Sequence, residues 1–145
     1  MTKSSSQTSP DAANRLTDDL SCSKKSLGRA RSKIIKFASE HGFSDEAEDI
    51  ALATQEALKN VIQHACPADN SMHLECTVDH DNMVIEVSDL GKGFDVSGAM
   101  EAPTSPMASH GRGIRLIRGL MDELWISSEQ EGTLVHMEKK HRGAR

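Results

Sequence analysis

Hydrophobic positions along the chain change period several times, and each change marks an element. Leu27, Ala30, Ile34, Phe37, Ala38 and His41 recur at threes and fours, which predicts a helix from Leu27 to His41 with Gly42 as its stop. Ser44 offers an N-cap for a second helix, with Asp45 and Glu46 in its positive first turn. Its buried stripe would be Ala47, Ile50, Ala51, Thr54, Ala57, Leu58, Val61, Ile62 and Ala65, closed by Pro67. The period then drops to two. Met72, Leu74, Cys76 and Val78 alternate with His73, Glu75, Thr77 and Asp79, and a turn at His80-Asp81-Asn82 leads into Met83–Ser88, so an antiparallel hairpin is expected. Ile114, Ile117, Leu120, Met121 and Leu124 predict a third helix. Trp125–Ser127 and Leu134–Met137 then make a closing hairpin around Glu129–Gly132. A short extended segment is expected near Leu16–Ser21. Residues 1–15, rich in Ser, Thr, Asp and Ala, read as a disordered tail, 16–140 as one domain, and 141–145 as a basic tail.

Three polar segments interrupt this pattern in a fixed order. Glu56, Asn60 and His64 stand at i, i+4 and i+8, so on a helix they fall within about 80° of one another. Asp89 sits at a strand end ahead of a turn that Gly91 and Gly93 make easy. Gly111 and Gly113 open the third helix, where backbone N–H groups are free to meet phosphate oxygens. Between the last two, from Asp95 to His110, periodicity is lost and Gly98, Pro103 and Pro106 appear, which suits a mobile lid. Singly, each segment has a plain reading: a solvated helix face, an ordinary turn, a helix start. Together and in this order they describe a nucleotide-triphosphate site.

Composition narrows the class. The chain has 145 residues and a formal net charge of −5, which argues against nucleic acid or an anionic membrane as main partner. No apolar run reaches the roughly 18 residues of a membrane helix, and no signal-peptide core follows Met1, so a cytoplasmic location is expected. Cys22, Cys66 and Cys76 form neither a disulfide framework nor a zinc spacing. A P-loop and a hydrolase elbow are both missing, and Asp79–Asn82 lacks the glycine and glutamate of a calcium loop. His73, His80, His110, His136 and His141 show no ligand spacing and are read as surface residues. Lys24, Lys25, Arg29, Arg31 and Lys33 crowd the first helix, as a face for an acidic partner or as a solvated face.

Thr54–Ala65, Asp89–Phe94 and Gly111–Leu124 resemble the N, G1 and G2 boxes of the ATPase superfamily shared by gyrases, heat-shock chaperones and sensor histidine kinases. Within it the likeness is to the bacterial anti-sigma-factor serine kinases. It spans Leu16 to Lys140, and Gly132-Thr133 in the last hairpin fits too. The resemblance implies an α/β two-layer sandwich, the Bergerat ATP-binding fold, with three helices on one face of a mixed, mainly antiparallel sheet. ATP and Mg²⁺ are its implied cofactors. Asn60 would bind Mg²⁺, Glu56 would be the general base toward a serine hydroxyl, and Asp89 would accept from the adenine amino group. Gly91 and Gly93 would let the chain pass close to the base. Gly111 and Gly113 would offer N–H groups to the phosphates, and Thr133 would reach adenine through water. Arg112 would touch phosphate or face solvent. The implied protein is a homodimeric serine kinase that phosphorylates an anti-anti-sigma (STAS-domain) protein and sequesters a sigma factor. The alternative is a nucleotide-sensing binding module of the same fold without significant kinase activity, for which Glu56 would be superfluous. A sensor histidine kinase core is disfavoured, because the stretch ahead of the first box is too short for paired dimerisation helices.

Overall fold

The periodic stretches become the expected elements in a computed structural model, whose described residues are 14–64, 71–89, 108–129 and 132–141. They run β1 (Arg15–Ser21), α1 (Lys25–Glu40), α2 (Ala47–His64), β2 (Ser71–Asp79), β3 (Asn82–Asp89), α3 (Ala108–Leu120), β4 (Glu123–Glu129) and β5 (Gly132–Lys140). The strands form one sheet in the order β1-β2-β3-β5-β4. Every pair among the described strands is antiparallel, so the mainly antiparallel sheet is borne out with no parallel pair in it.

Element ends are where sequence and structure part. The stop of α1 is as expected: Gly42 takes φ +87°, and the Phe43 N–H donates to Ala38 O at 2.8 Å, closing the helix in a Schellman turn. The start of α2 is not. Ser44 does not cap it; the helix begins at Ala47, and Glu48 and Asp49 occupy its acidic first turn. The reason lies in Phe43, which is buried with its ring edge-on to His141 at 5.2 Å between centroids. A tight turn, with Glu46 N–H donating to Phe43 O, must follow before a helix can start. Leu124, expected in the third helix, lies in β4 opposite Met137. The helix ends at Leu120 because the buried Lys139 ammonium donates to the Leu120 carbonyl, and Asp122 N–H then joins β5 through Glu138 O at 2.9 Å.

The register lines the inner face of the sheet in rows. Leu16, Cys76, Ile85, Met137 and Leu124 make one, and Asp18, Leu74, Val87, Val135 and Ile126 the next. The third row runs Leu20, Met72, Asp89, Thr133: two apolar residues, then two polar ones, all buried. The helices cover this face, with α2 in the middle packed against both α1 and α3. That position explains its alanines. Ala51, Ala53 and Ala57 are all fully buried, letting neighbours close in from two sides, while Ile50, Leu58 and Val61 fill the space toward the sheet. On the opposite sheet face His136 is only partly exposed. Its side chain is only 17 % exposed, with Nδ1 2.6 Å from Glu86 and Nε2 2.8 Å from Glu138.

Candidate active site

Two of the three segments meet where α2 and α3 cross. Asn60, a polar residue buried to 4 % exposure, and Glu56, one turn before it, face the backbone of α3 at Gly113. A Cβ added to Gly113 would lie 3.2 Å from Glu56 Oε1 and 3.4 Å from Asn60 Oδ1. A side chain there would push Glu56 and Asn60 back by a few tenths of an ångström. Around this contact opens a cleft of about 570 Å³ lined by Glu56, Lys59, Asn60, Gln63, Arg112, Gly113, Arg115 and Leu116. Arg112 is exposed at its edge. His64 ends α2, and its side chain lies outside the described residues.

One expectation is corrected. The glycines do not open the helix: α3 begins at Ala108, so Gly111 is its fourth residue and Gly113 its sixth. A helix leaves unpaired only the N–H groups of its opening turn, and Gly113 lies beyond them. Ala108 and Ser109, both compatible with helical geometry, extend the helix upstream.

Asp89 and Thr133 are brought together separately. They are opposite one another across β3 and β5, 5 % and 2 % exposed, on the helix-covered face. Neither lines the α2–α3 cleft. Gly91, Gly93 and residues 95–107 of the expected lid lie outside the described residues, while its last three, Ala108 to His110, belong to α3.

Sequence reasoning passed over Lys59, Gln63, Arg115 and Leu116. Lys59 Nζ donates to Glu56 Oε2 at 3.2 Å, so the carboxylate in the cleft is ion-paired within its own helix. The signal was available, since a Lys three residues after a Glu shares its helix face. Lys59, Arg112 and Arg115 make the cleft cationic, which suits a polyphosphate. Asn60 adds an amide oxygen, a donor Mg²⁺ accepts when phosphates and waters complete the shell. Among the described residues no group of three or more His, Cys, Asp or Glu could hold a metal by itself.

The family described as histidine kinase-like ATPase domain matches residues 20–139, and the chain belongs to it. It is 33 % identical over 125 residues to the serine-protein kinase RsbW of Bacillus licheniformis, covering 78 % of this chain and 77 % of that one. It is 31 % identical over 122 residues to that of Halalkalibacterium halodurans, covering 78 % and 75 %. Among solved structures, the RsbU and RsbW domains of a Mycobacterium tuberculosis protein superpose with a TM-score of 0.69 at 19 % identity. That match covers 90 % of this chain and 34 % of the other, and shows the shared fold. The blue-light-activated histidine kinase domain of Erythrobacter litoralis superposes at 0.55 and 23 % identity, covering 79 % and 59 %. These relatives bear out the resemblance to the anti-sigma-factor serine kinases. No helix among the described residues is long and apolar enough to cross a membrane.

Proposed function

We propose that the protein is an ATP-dependent serine protein kinase and anti-sigma factor, acting as a homodimer, which phosphorylates an anti-anti-sigma (STAS-domain) protein and sequesters a sigma factor. The observation that carries this reading is the juxtaposition of Glu56 and Asn60 under Gly113 in a cationic cleft, within a chain of the histidine kinase-like ATPase family. The ATPase domain is taken as 16–140.

In this reading Asn60 offers its amide oxygen to Mg²⁺, which when bound neutralises phosphate charge. Glu56 takes the proton from the serine hydroxyl as the serine oxygen bonds to the γ-phosphorus and the bond to the leaving ADP oxygen breaks. Lys59, Arg112 and Arg115 offset the negative charge, Gly111 in the opening turn of α3 offers its backbone N–H to a phosphate, and Gly113 lets α3 lie close to Glu56 and Asn60. Asp89 accepts from the adenine amino group, Thr133 supports it through water, and Gly91 and Gly93 let the chain pass the base. The chemistry asks mainly for positioning and charge neutralisation, which these groups supply.

Labelled ATP and candidate STAS-domain proteins provide the test. Label should appear on a serine of one of them. Glu56→Gln should slow that transfer by roughly 10² to 10⁴-fold without weakening ATP binding, if Glu56 is the base. ATP binding with no transfer to any STAS protein would leave the nucleotide-sensing module as the function.

A further inference from the structure

The cleft holds an ion pair whose making and breaking the kinase reading leaves without a role. Glu56 Oε1 faces Gly113 on α3, and Oε2 accepts from Lys59 Nζ at 3.2 Å. In this arrangement one carboxylate oxygen lies against α3 and the other is held by an ammonium. For Oε2 to accept a proton from a hydroxyl, Lys59 must first release it.

We infer that Lys59 exchanges partners: it is held by Glu56 without nucleotide and turns to the terminal phosphate of a bound nucleoside triphosphate, so that it favours triphosphate over diphosphate and uncovers Glu56 only when a transferable phosphoryl group is present. The inference rests on the reading of the cleft as an ATP site.

Exposure, charge and position all support the exchange. The Lys59 side chain is 45 % exposed while Glu56 is 15 % exposed, so the ammonium is the mobile member of the pair. An ion pair whose ammonium is half exposed to water is readily exchanged. A terminal phosphate carries more charge than one carboxylate and competes well for the same ammonium. Lys59 also precedes Asn60 directly and lines the same cleft, and its unbranched stem lets the ammonium swing without moving the helix. The plain alternative is an ordinary i,i+3 pair that only steadies α2. Such a pair would leave nucleotide preference untouched, because neither member would contact phosphate.

Calorimetry separates the two with the full chain, Mg²⁺, ADP and a non-hydrolysable ATP analogue. Lys59→Met should weaken the triphosphate analogue by about tenfold and ADP by less than about twofold. Lys59→Arg should recover most of the loss. Glu56→Gln should tighten the analogue when Lys59 is present and lose that effect in the Lys59→Met background, a non-additive cycle. Equal losses for ADP and the analogue, or an additive cycle, would overturn the exchange while leaving ATP binding standing. A wild-type protein that binds neither nucleotide would overturn the ATP reading itself, and the exchange with it.

Discussion

Gly113 shows how one residue can serve stability and activity in opposite directions. It lies inside α3, where replacing glycine by alanine ordinarily gains about 1 kcal/mol of helix propensity. The added Cβ would meet Glu56 Oε1 at 3.2 Å and Asn60 Oδ1 at 3.4 Å, so the two side chains must give by a few tenths of an ångström. Both are side-chain ends, which can move. Gly113→Ala should therefore melt at or above the wild-type temperature and yet transfer phosphate at least about tenfold more slowly, since small misplacements of catalytic groups are costly. Thermal melting and the transfer assay on the same preparation check this, and an unchanged rate would mean that Gly113 sets no geometry in the cleft. The stripe of Glu56 and Asn60 was legible in the sequence because helical angles follow from spacing alone. What Gly113 touches was not legible, since it depends on how closely α3 crosses α2.

The basic stretch on α1 illustrates a different limit at the level of elements. Arg29 Nε lies 3.0 Å and Lys33 Nζ 3.0 Å from the same oxygen of Asp18 on β1, and Arg31 pairs with Glu48 on α2. The expected face for an acidic partner is thus largely spent on the protein's own carboxylates. Burial alone would raise the Asp18 carboxyl, but Lys33 and Arg29 outweigh it and hold it below its ordinary range. β1 was hard to read because Asp18 sits on its inward face, between Leu16 and Leu20, where an apolar residue would complete the alternation. Reversing both Arg29 and Lys33 to Glu would crowd three carboxylates at the β1–α1 junction. The melting temperature should drop by about 3–10 °C, so loss of partner capture in that variant would report damage, not an interface. An unchanged melting temperature would return this face to the candidates for docking.

The β3–β5–β4 face carries a titratable link between strands. Glu86, His136 and Trp125 are cross-strand neighbours, and the indole stacks on the imidazole at 4.9 Å. Burial would lower the His136 pKa, but hydrogen bonds with Glu138 and Glu86 outweigh it and raise it above 6.5. The Glu138 carboxyl is lowered from 4.5, first by His136 and then by Asn82. Raised in the folded state, His136 stabilises fully below pH 6.5 and loses that contribution as pH rises through its folded value. Glu138, lowered, contributes fully above pH 4.5 and loses it as pH falls through its folded value. Both contributions are complete between pH 4.5 and 6.5, and melting temperature should be highest there relative to His136→Gln. A constant difference between the two proteins from pH 5 to pH 9 would remove His136 from the account. Alternation had placed His136 on a strand correctly; its carboxylate neighbours come from register, which single-strand patterns do not carry.

Over the whole molecule, the charge balance of the cleft bears on how a phosphorylated partner would leave. The chain carries a formal net charge of −5, while Lys59, Arg112 and Arg115 gather positive charge at the cleft. With nucleotide bound, its phosphates and Glu56 would meet those cations first. A phosphoserine adds about −1.5 to −2 charge at the same place, with few cations left to receive it. The proposed STAS-domain partner should therefore bind more weakly once phosphorylated, by about tenfold or more with ADP and Mg²⁺ present. The gap should narrow as salt rises from 0.05 to 0.5 M, because exposed charges are screened beyond roughly 10 Å at 0.1 M and over shorter distances at higher salt. It should narrow as well without nucleotide, when no bound phosphate competes with the phosphoserine for the cations of the cleft. Calorimetry with both forms of the partner, with and without ADP at two salt concentrations, measures each arm. If the phosphorylated form bound as tightly as the unmodified one with ADP present, charge crowding at the cleft would not be what releases the product.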